Sequence, residues 1–110
     1  MDHRPRELRE YETQEGVVPF LEWLLSLKDA ATRAKINTRL KRLAFGHFGD
    51  CRFIATGVFE LRIHFGPGYR VYFGEDHGAV ILLLCGGDKR SQHRDIEMAK
   101  KYWDDYRGRR

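Results

Sequence analysis

The sequence predicts an α+β domain whose helices pack on one face of an antiparallel or mixed sheet of four to five strands. Two observations predict this class. Apolar residues recur at helical spacing before residue 46 and again after residue 91, whereas between residues 51 and 86 they alternate with polar residues or form short apolar runs. With 110 residues, the chain has room for a single domain, residues 1–110.

The N-terminal part is expected to form a strand and a helical hairpin. Residues 7–12 favour a short first strand. Pro19 is typical of a helix start, and Asp29 is a plausible N-cap for a second helix that stops at Gly46. The first helix presents a wide apolar face made of Phe20, Leu21, Leu24, Leu25 and Leu27. The short connection between the two helices indicates a helical hairpin.

The second half is expected to form consecutive antiparallel strands and a last helix. The predicted strands are residues 51–55, 58–65, 69–75 and 79–86. Asp76, His77 and Gly78 supply a turn, and Ser91 is the expected N-cap of the last helix. The apolar stripe of that helix is Ile96, Ala99, Trp103 and Tyr106.

Basic residues are predicted to share one side of the hairpin formed by the middle strands. Every second residue in 59–65 is apolar, which places Arg62 and His64 opposite the core, and the same alternation adds Arg70 and Tyr72 to that side. Three cationic or protonatable groups repel each other unless an anion lies between them. The pattern therefore predicts an anion site, with a merely solvated sheet face as the alternative.

A polar loop follows the last predicted strand and is expected to rim the same surface. Its residues are Asp88, Lys89, Arg90, Ser91, Gln92 and His93. The net charge of +4 and the pI near 9.3 are compatible with a nucleic-acid ligand but indicate one only weakly. The charges of the second helix are better explained as a solvated face.

Other classes of protein fit the sequence poorly. Cys51 and Cys85 have no metal-ligand spacing, so we expect reduced thiols, no metal and no cofactor. The charged N-terminal residues do not resemble a signal peptide, and no apolar run is long enough to span a membrane. The expected location is the cytoplasm.

Two segments carry a resemblance to a known family. FELRIHFGPGYRVYF, residues 59–73, and LLLCGGDKRSQHRDIEMAKKYW, residues 82–103, are similar to the signature regions of HigB-like addiction module killer proteins. These are phage-derived Gp49-like members of the RelE/ParE toxin superfamily. The resemblance covers nearly the whole chain and implies a RelE-like fold.

The resemblance also implies a function and partners. The chain would be the toxin of a bacterial type II toxin–antitoxin system, acting as a metal-free, ribosome-dependent mRNA endonuclease that inhibits translation. Its partners would be mRNA and the ribosome, together with a small helix-turn-helix antitoxin similar to HigA. The toxin–antitoxin complex would bind operator DNA.

The resemblance, combined with the chemistry of RNA cleavage, suggests roles for individual residues. The reaction needs a base for the 2′-hydroxyl, cations for the phosphate and an acid for the leaving 5′-oxygen. Arg62 and Arg70 suit phosphate stabilisation, and His64 is our candidate for the base. Lys89 or Arg90 would be the acid or a second phosphate clamp.

Three further residues are secondary candidates. Gln92 is a possible base or ribose contact, and His93 is an alternative acid. Tyr72, like Tyr69, is placed either to stack on a base or to pack in the sheet.

Two alternative functions remain open at this point. One is a ParE-like toxin that poisons DNA gyrase through protein contacts and needs no catalytic residues. The other is a non-catalytic RNA-binding regulatory module that uses its basic residues only for phosphate contacts.

Overall fold

The computed structural model describes residues 4–109. Its elements, in chain order, are β1 (Glu7–Glu10), α1 (Pro19–Ser26), α2 (Ala30–Ala44), β2 (Cys51–Ala55), β3 (Val58–Ile63), β4 (Tyr69–Asp76), β5 (Val80–Asp88) and α3 (Gln92–Gly108). A single 3₁₀ turn, Lys89–Ser91, precedes α3. The strands form one sheet in the order β1-β5-β4-β3-β2, in which β1 runs parallel to β5 and all other neighbours are antiparallel. The predicted α+β class with a mixed sheet and a C-terminal helix is confirmed.

Local sequence signals explain several of the boundaries. The Asp29 side chain accepts a hydrogen bond from the backbone N–H of Ala31 at 3.2 Å, as expected of an N-cap. Gly46, at φ 92°, follows the end of α2, in a conformation that favours glycine. His77 and Gly78 both have positive φ, and Ala79 N–H donates to Asp76 O at 3.1 Å, which is the geometry of a type I′ turn between β4 and β5.

The prediction for the cap of α3 is only half right. Ser91 occupies the N-cap position but makes no capping hydrogen bond with its side chain. The Asp88 side chain instead caps the 3₁₀ turn by accepting from Arg90 N–H at 2.8 Å. The Ser91 hydroxyl completes the capping box of that turn by accepting from Asp88 N–H at 3.3 Å, and it donates to Asp95 Oδ2 at 2.5 Å.

The expectation that all helices cover one face of the sheet is wrong. The helices α1 and α2 pack on one face through Phe20, Leu24, Ile36, Leu40 and Leu43. The helix α3 packs on the other face through Ala99 and Trp103. Both faces carry enough apolar surface to be covered, so the polar face predicted for the hairpin is largely enclosed rather than open to water.

The apolar face of α1 is also narrower than predicted. Phe20 and Leu24 are buried, whereas Leu21 and Leu25 are exposed. A helix of eight residues that contacts the sheet from one side buries only one of its two apolar rows.

Candidate functional site

The two hairpin arginines are direct neighbours across the sheet. Arg62 of β3 pairs with Arg70 of β4, which pairs in turn with Gly87 of β5. On the other side, Arg62 N–H donates to the backbone oxygen of Asp50 at 2.9 Å. Gly87, Arg70, Arg62 and Asp50 therefore form a transverse row across the sheet, with both arginines on the face covered by α3. The predicted adjacency of Arg62 and Arg70 is confirmed.

A buried carboxylate lies beside this row. Glu60 is 0% exposed and accepts three hydrogen bonds: from Arg62 Nε at 2.8 Å, from the Tyr72 hydroxyl at 2.8 Å and from Gln92 Nε2 at 3.0 Å. Burial alone would raise the pKa of Glu60, but these hydrogen bonds outweigh it and lower the pKa below its usual range. Glu60 therefore stays ionised and ties β3, β4 and the start of α3 together.

Arg70 has a different environment from Arg62. It is 9% exposed, and its Nη1 is buried without a hydrogen-bond partner among residues 4–109. A buried cationic donor without a partner is costly, and native proteins rarely keep one unless it has a role. Arg6 and Trp103 also carry buried N–H groups without an acceptor among the described residues, so what distinguishes Arg70 is its place beside Arg62 in the transverse row, where two guanidinium groups suit the binding of an oxyanion.

His64 lies past the end of β3, and its side chain is 73% exposed. Its Nε2 is 2.7 Å from Asp50 Oδ2. Hydrogen bonds from His64 and then from Arg52 lower the pKa of Asp50, which therefore remains a carboxylate. If a neutral imidazole donates its Nε2–H to Asp50, its Nδ1 keeps a lone pair directed away from Asp50, as a general base requires.

The two basic residues of the loop differ in how they are held. Lys89 and Arg90 are both exposed in the 3₁₀ turn that follows β5. The Arg90 guanidinium lies 3.0 Å from Asp88 Oδ2, and the hydrogen bond from this side chain lowers the pKa of Asp88. Lys89 directly follows the capping residue Asp88. The turn keeps both cations next to Gly87, at one end of the transverse row.

The secondary candidates differ in their exposure to solvent. His93 is exposed on the first turn of α3, while Gln92 is half-buried and donates to Glu60. Tyr72 is 0% exposed, so a stacking role on RNA is wrong for this residue. The reason is that α3 covers the part of the sheet from which Tyr72 projects, and its hydroxyl serves Glu60 instead. Tyr69 remains half-buried, with its ring edge-on to Trp23 at 6.2 Å between centroids.

Sequence reasoning missed Glu60 and Asp50. One signal for Glu60 was available, because it precedes Arg62 by two residues on the same strand and therefore shares its face. The pairing of Glu60 with Tyr72 also follows from the hairpin register. Asp50 had no local signal, since its contact with His64 depends on how β2 enters the sheet edge.

The two cysteines and the tyrosines of α3 are not members of the row. Burial raises the pKa of Cys51 to about 11 and that of Cys85 to about 12, so both thiols are protonated near neutral pH. Tyr102 stacks on Tyr11 with a centroid distance of 4.9 Å, and the Tyr106 hydroxyl donates to Asp76 Oδ2 at 2.8 Å. Both tyrosines pack against the core, and Tyr106 does so as a member of the predicted apolar stripe.

Comparison with known proteins decides the family. Residues 22–104 match the family model described as phage-derived protein Gp49-like (DUF891). The chain belongs to this family. An uncharacterised protein of Haemophilus influenzae is 53% identical to it over 81 residues, which cover 74% of this chain and 82% of the relative.

The Gp49-like family is one of RelE/HigB-like toxins, so the resemblance found in residues 59–73 and 82–103 is confirmed. Membership implies a toxin of an addiction module, with an antitoxin as its partner. No helix within residues 4–109 is long and apolar enough to cross a membrane.

Proposed function

We propose that this Gp49-like toxin is an endoribonuclease that cleaves mRNA on the ribosome without a metal ion and so inhibits translation in the cytoplasm. The observation that carries the proposal is Arg70, whose buried Nη1 has no hydrogen-bond partner among the described residues. A toxin that acted only through protein contacts would have no need for a buried guanidinium N–H without an acceptor next to a second arginine. In this proposal an RNA phosphate bound at the row becomes the acceptor for Arg70, once the side chains that cover Nη1 in the free protein move aside.

The proposed reaction is an in-line attack of the ribose 2′-oxygen on the adjacent phosphorus. His64 takes the proton of the 2′-hydroxyl, the bond from phosphorus to the 5′-oxygen breaks, and an acid protonates that oxygen. The products are a 2′,3′-cyclic phosphate and a free 5′-hydroxyl. The contact between His64 and Asp50 at 2.7 Å supports this role because it orients the ring.

The two arginines have complementary parts in this scheme. Arg70 would bind the non-bridging oxygens and stabilise the charge that grows on them. The Nε of Arg62 is used on Glu60, which fixes the orientation of the remaining guanidinium N–H groups. Arg62 would therefore act as a second, oriented donor to the same phosphate.

Lys89 and Arg90 remain the candidates for the acid. Arg90 is engaged by Asp88, whereas no ion pair of the Lys89 ammonium occurs in the described part of the chain. Lys89 is therefore better placed to donate to the leaving oxygen, with Arg90 as a second phosphate clamp. Gln92 is committed to Glu60, which argues for a supporting contact rather than for a base.

The proposal includes a partner that blocks the site. A HigA-like helix-turn-helix antitoxin would cover the basic row with an acidic segment, which would compete with phosphate for the arginines. The complex of the two proteins would bind operator DNA through the antitoxin.

The test is induction of the wild-type chain and of Arg70→Ala and His64→Ala variants in a bacterial host, with mapping of mRNA 5′ ends. Wild-type induction is expected to stop growth and to produce new ends inside translated messages. Each substitution should lower the cleavage rate by roughly 10²-fold or more, in line with the loss of one oxyanion donor or of a general base. The same variants should be assayed as purified proteins on ribosomes programmed with mRNA.

Arg9→Ala is the matched control, because Arg9 is an exposed arginine of β1 that lies away from the row and pairs with Glu7. It should cleave like the wild type. Growth arrest without new 5′ ends would contradict the nuclease and point to gyrase. Binding of mRNA without cleavage would instead identify an RNA-binding regulator.

A further inference from the structure

An open cleft of about 720 Å³ lies beside the transverse row, between the end of α1 and the start of α3. Trp23, Ser26 and Leu27 line it on one side, and much of the other side is lined by Ser91, His93, Arg94 and Asp95. Gly86, Gly87 and Asp88 of β5 also line it. Since Gly87 is the register partner of Arg70, the cleft begins about 5 Å, one strand spacing, from the unpaired arginine.

The strand that lines this cleft presents its backbone edge. β1 pairs with β5 only over Val80–Leu83, so from residue 84 onward the outer edge of β5 has no neighbouring strand among residues 4–109. The cleft therefore meets the main-chain N–H and C=O groups of Gly86 without an intervening side chain, whereas those of Gly87 face Arg70 on β4. Such an edge can hydrogen-bond a planar ligand that carries both donors and acceptors.

Both glycines are required by the walls of the cleft. A Cβ atom at Gly86 would lie 2.1 Å from Trp23 Cε3, and one at Gly87 would lie 1.9 Å from Asp95 Oδ2. Trp23 and Asp95 are thus packed directly against the strand on opposite sides. Any other residue at either position would push a wall away.

Trp23 forms a rigid aromatic wall. Its ring lies against Gly86, with Phe20 at 6.0 Å and Tyr69 at 6.2 Å between centroids. The residue is only half-buried, and part of it lines the cleft. An aromatic ring already held by its neighbours offers a stacking surface at little entropic cost.

The charges of the cleft favour a base over a phosphate. Arg90, His93 and Arg94 form a basic rim, but the interior holds the carboxyl groups of Asp88 and Asp95. Asp88 is bound by Arg90, and Asp95 accepts from the Ser91 hydroxyl at 2.5 Å. Carboxyl oxygens repel phosphate and accept hydrogen bonds from the exocyclic amino groups of bases.

We propose that this cleft binds one nucleobase of the RNA substrate, stacked on Trp23 and hydrogen-bonded to the backbone edge at Gly86, next to the phosphate held by Arg70. This inference rests on the proposed function and adds a base-binding subsite to it. The cleft would contribute to the sequence preference of cleavage, whereas the arginine row would contribute to its rate.

The test compares Trp23→Leu with the wild type on ribosomes programmed with mRNAs that differ at each nucleotide around the cut. Trp23→Leu is expected to raise KM about tenfold, within the range for loss of one stacked base, with kcat changed less than twofold. The preference at one nucleotide next to the cut should flatten. Trp23→Phe should keep most of the wild-type KM, which separates stacking from a general loss of structure.

Phe53→Leu is the matched control, because Phe53 is an exposed aromatic residue on β2, at the opposite edge of the sheet from the cleft. It should leave KM and the sequence preference unchanged. If Trp23→Leu cleaves with the KM and the sequence preference of the wild type, the proposed base subsite is wrong, while the proposed nuclease activity is unaffected. Absence of cleavage by the wild-type protein would instead count against the proposed function.

A second readout does not depend on cleavage. The chain contains two tryptophans, and the other one, Trp103, is 5% exposed in the core. Adenosine 5′-monophosphate is therefore expected to quench the emission of the wild-type protein saturably and to leave that of Trp23→Leu unchanged. Equal quenching of the two proteins, or none in the wild type, would overturn the proposal.

Discussion

The two faces of the sheet are both buried, but they are buried by different chemistry. The face toward α1 and α2 is packed with apolar side chains such as Leu61, Val71 and Phe73. The face toward α3 holds the three buried charged residues of the described chain, which are Glu60, Arg70 and Asp76. The first face supplies stability through apolar area, whereas the second gives up part of that area to carry polar groups.

The face toward α3 is itself divided. Glu60 accepts hydrogen bonds from three donors, and Asp76 accepts one from the Tyr106 hydroxyl, so these two carboxylates are satisfied. The Nη1 of Arg70 has no partner among residues 4–109. The satisfied groups fasten α3 to the sheet, and the unsatisfied one marks the place where a ligand is expected. Four predictions test this division.

The largest effect on stability is expected on the apolar face. Phe73→Ala should lower the free energy of unfolding by about 3–5 kcal/mol, because Phe73 is 2% exposed and its removal leaves a cavity. Urea denaturation measures this directly. Phe53→Ala is the control, since the two rings belong to the same aromatic row with Phe59 but Phe53 is 68% exposed. Equal losses in the two variants would mean that the apolar face does not carry the stability.

Arg70→Met should change the free energy of unfolding in the opposite direction, toward higher stability. Replacing a buried guanidinium whose Nη1 lacks a partner within residues 4–109 by an apolar side chain of similar length should raise the free energy of unfolding by about 1–3 kcal/mol, while lowering the cleavage rate by roughly 10²-fold or more. Denaturation and the ribosome assay on one preparation check both parts. A destabilised Arg70→Met protein would show that the guanidinium already has a favourable environment in the free toxin.

Glu60→Gln should cost about 1–2 kcal/mol at neutral pH, because it removes the charge that three donors share. The lowered pKa of Glu60 determines how its contribution to the free energy of unfolding changes with pH. The stabilising contribution is fully present above the unfolded value near 4.3 and is lost as pH falls through the lower folded value. The difference between wild type and variant should therefore shrink as pH falls below about 4, measured by urea denaturation across pH 3–7. A difference that does not depend on pH would contradict the assigned ionisation.

The smallest effects on stability are expected in the loop after β5. Lys89→Ala should lower the cleavage rate by roughly 10²-fold, as expected for the loss of a general acid, and Arg90→Ala by less than about threefold, because Asp88 already holds the Arg90 side chain. Neither substitution should change the free energy of unfolding by more than about 0.5 kcal/mol, as both residues are exposed. The reverse order of the two rates would assign the proton donor to Arg90.

The sequence alone determined those features that depend on neighbouring residues. Alternation of period two identified the strands and placed Arg62 opposite Arg70, since a hairpin transmits its register from one strand to the next. The cap at Asp29 and the stop at Gly46 were predicted for the same reason. Residues 59–73 and 82–103 also carried enough family signal to indicate the toxin.

Only the tertiary structure decided which polar groups are covered. The placement of α3 across the second face buries Tyr72 and Glu60, leaves Arg70 unpaired, and opens the cleft beside Trp23. These facts depend on contacts between residues that are 30 or more positions apart, as in the bond from Gln92 to Glu60. Local periodicity shows which side of a strand a residue occupies, but the burial of that side depends on the element that packs against it.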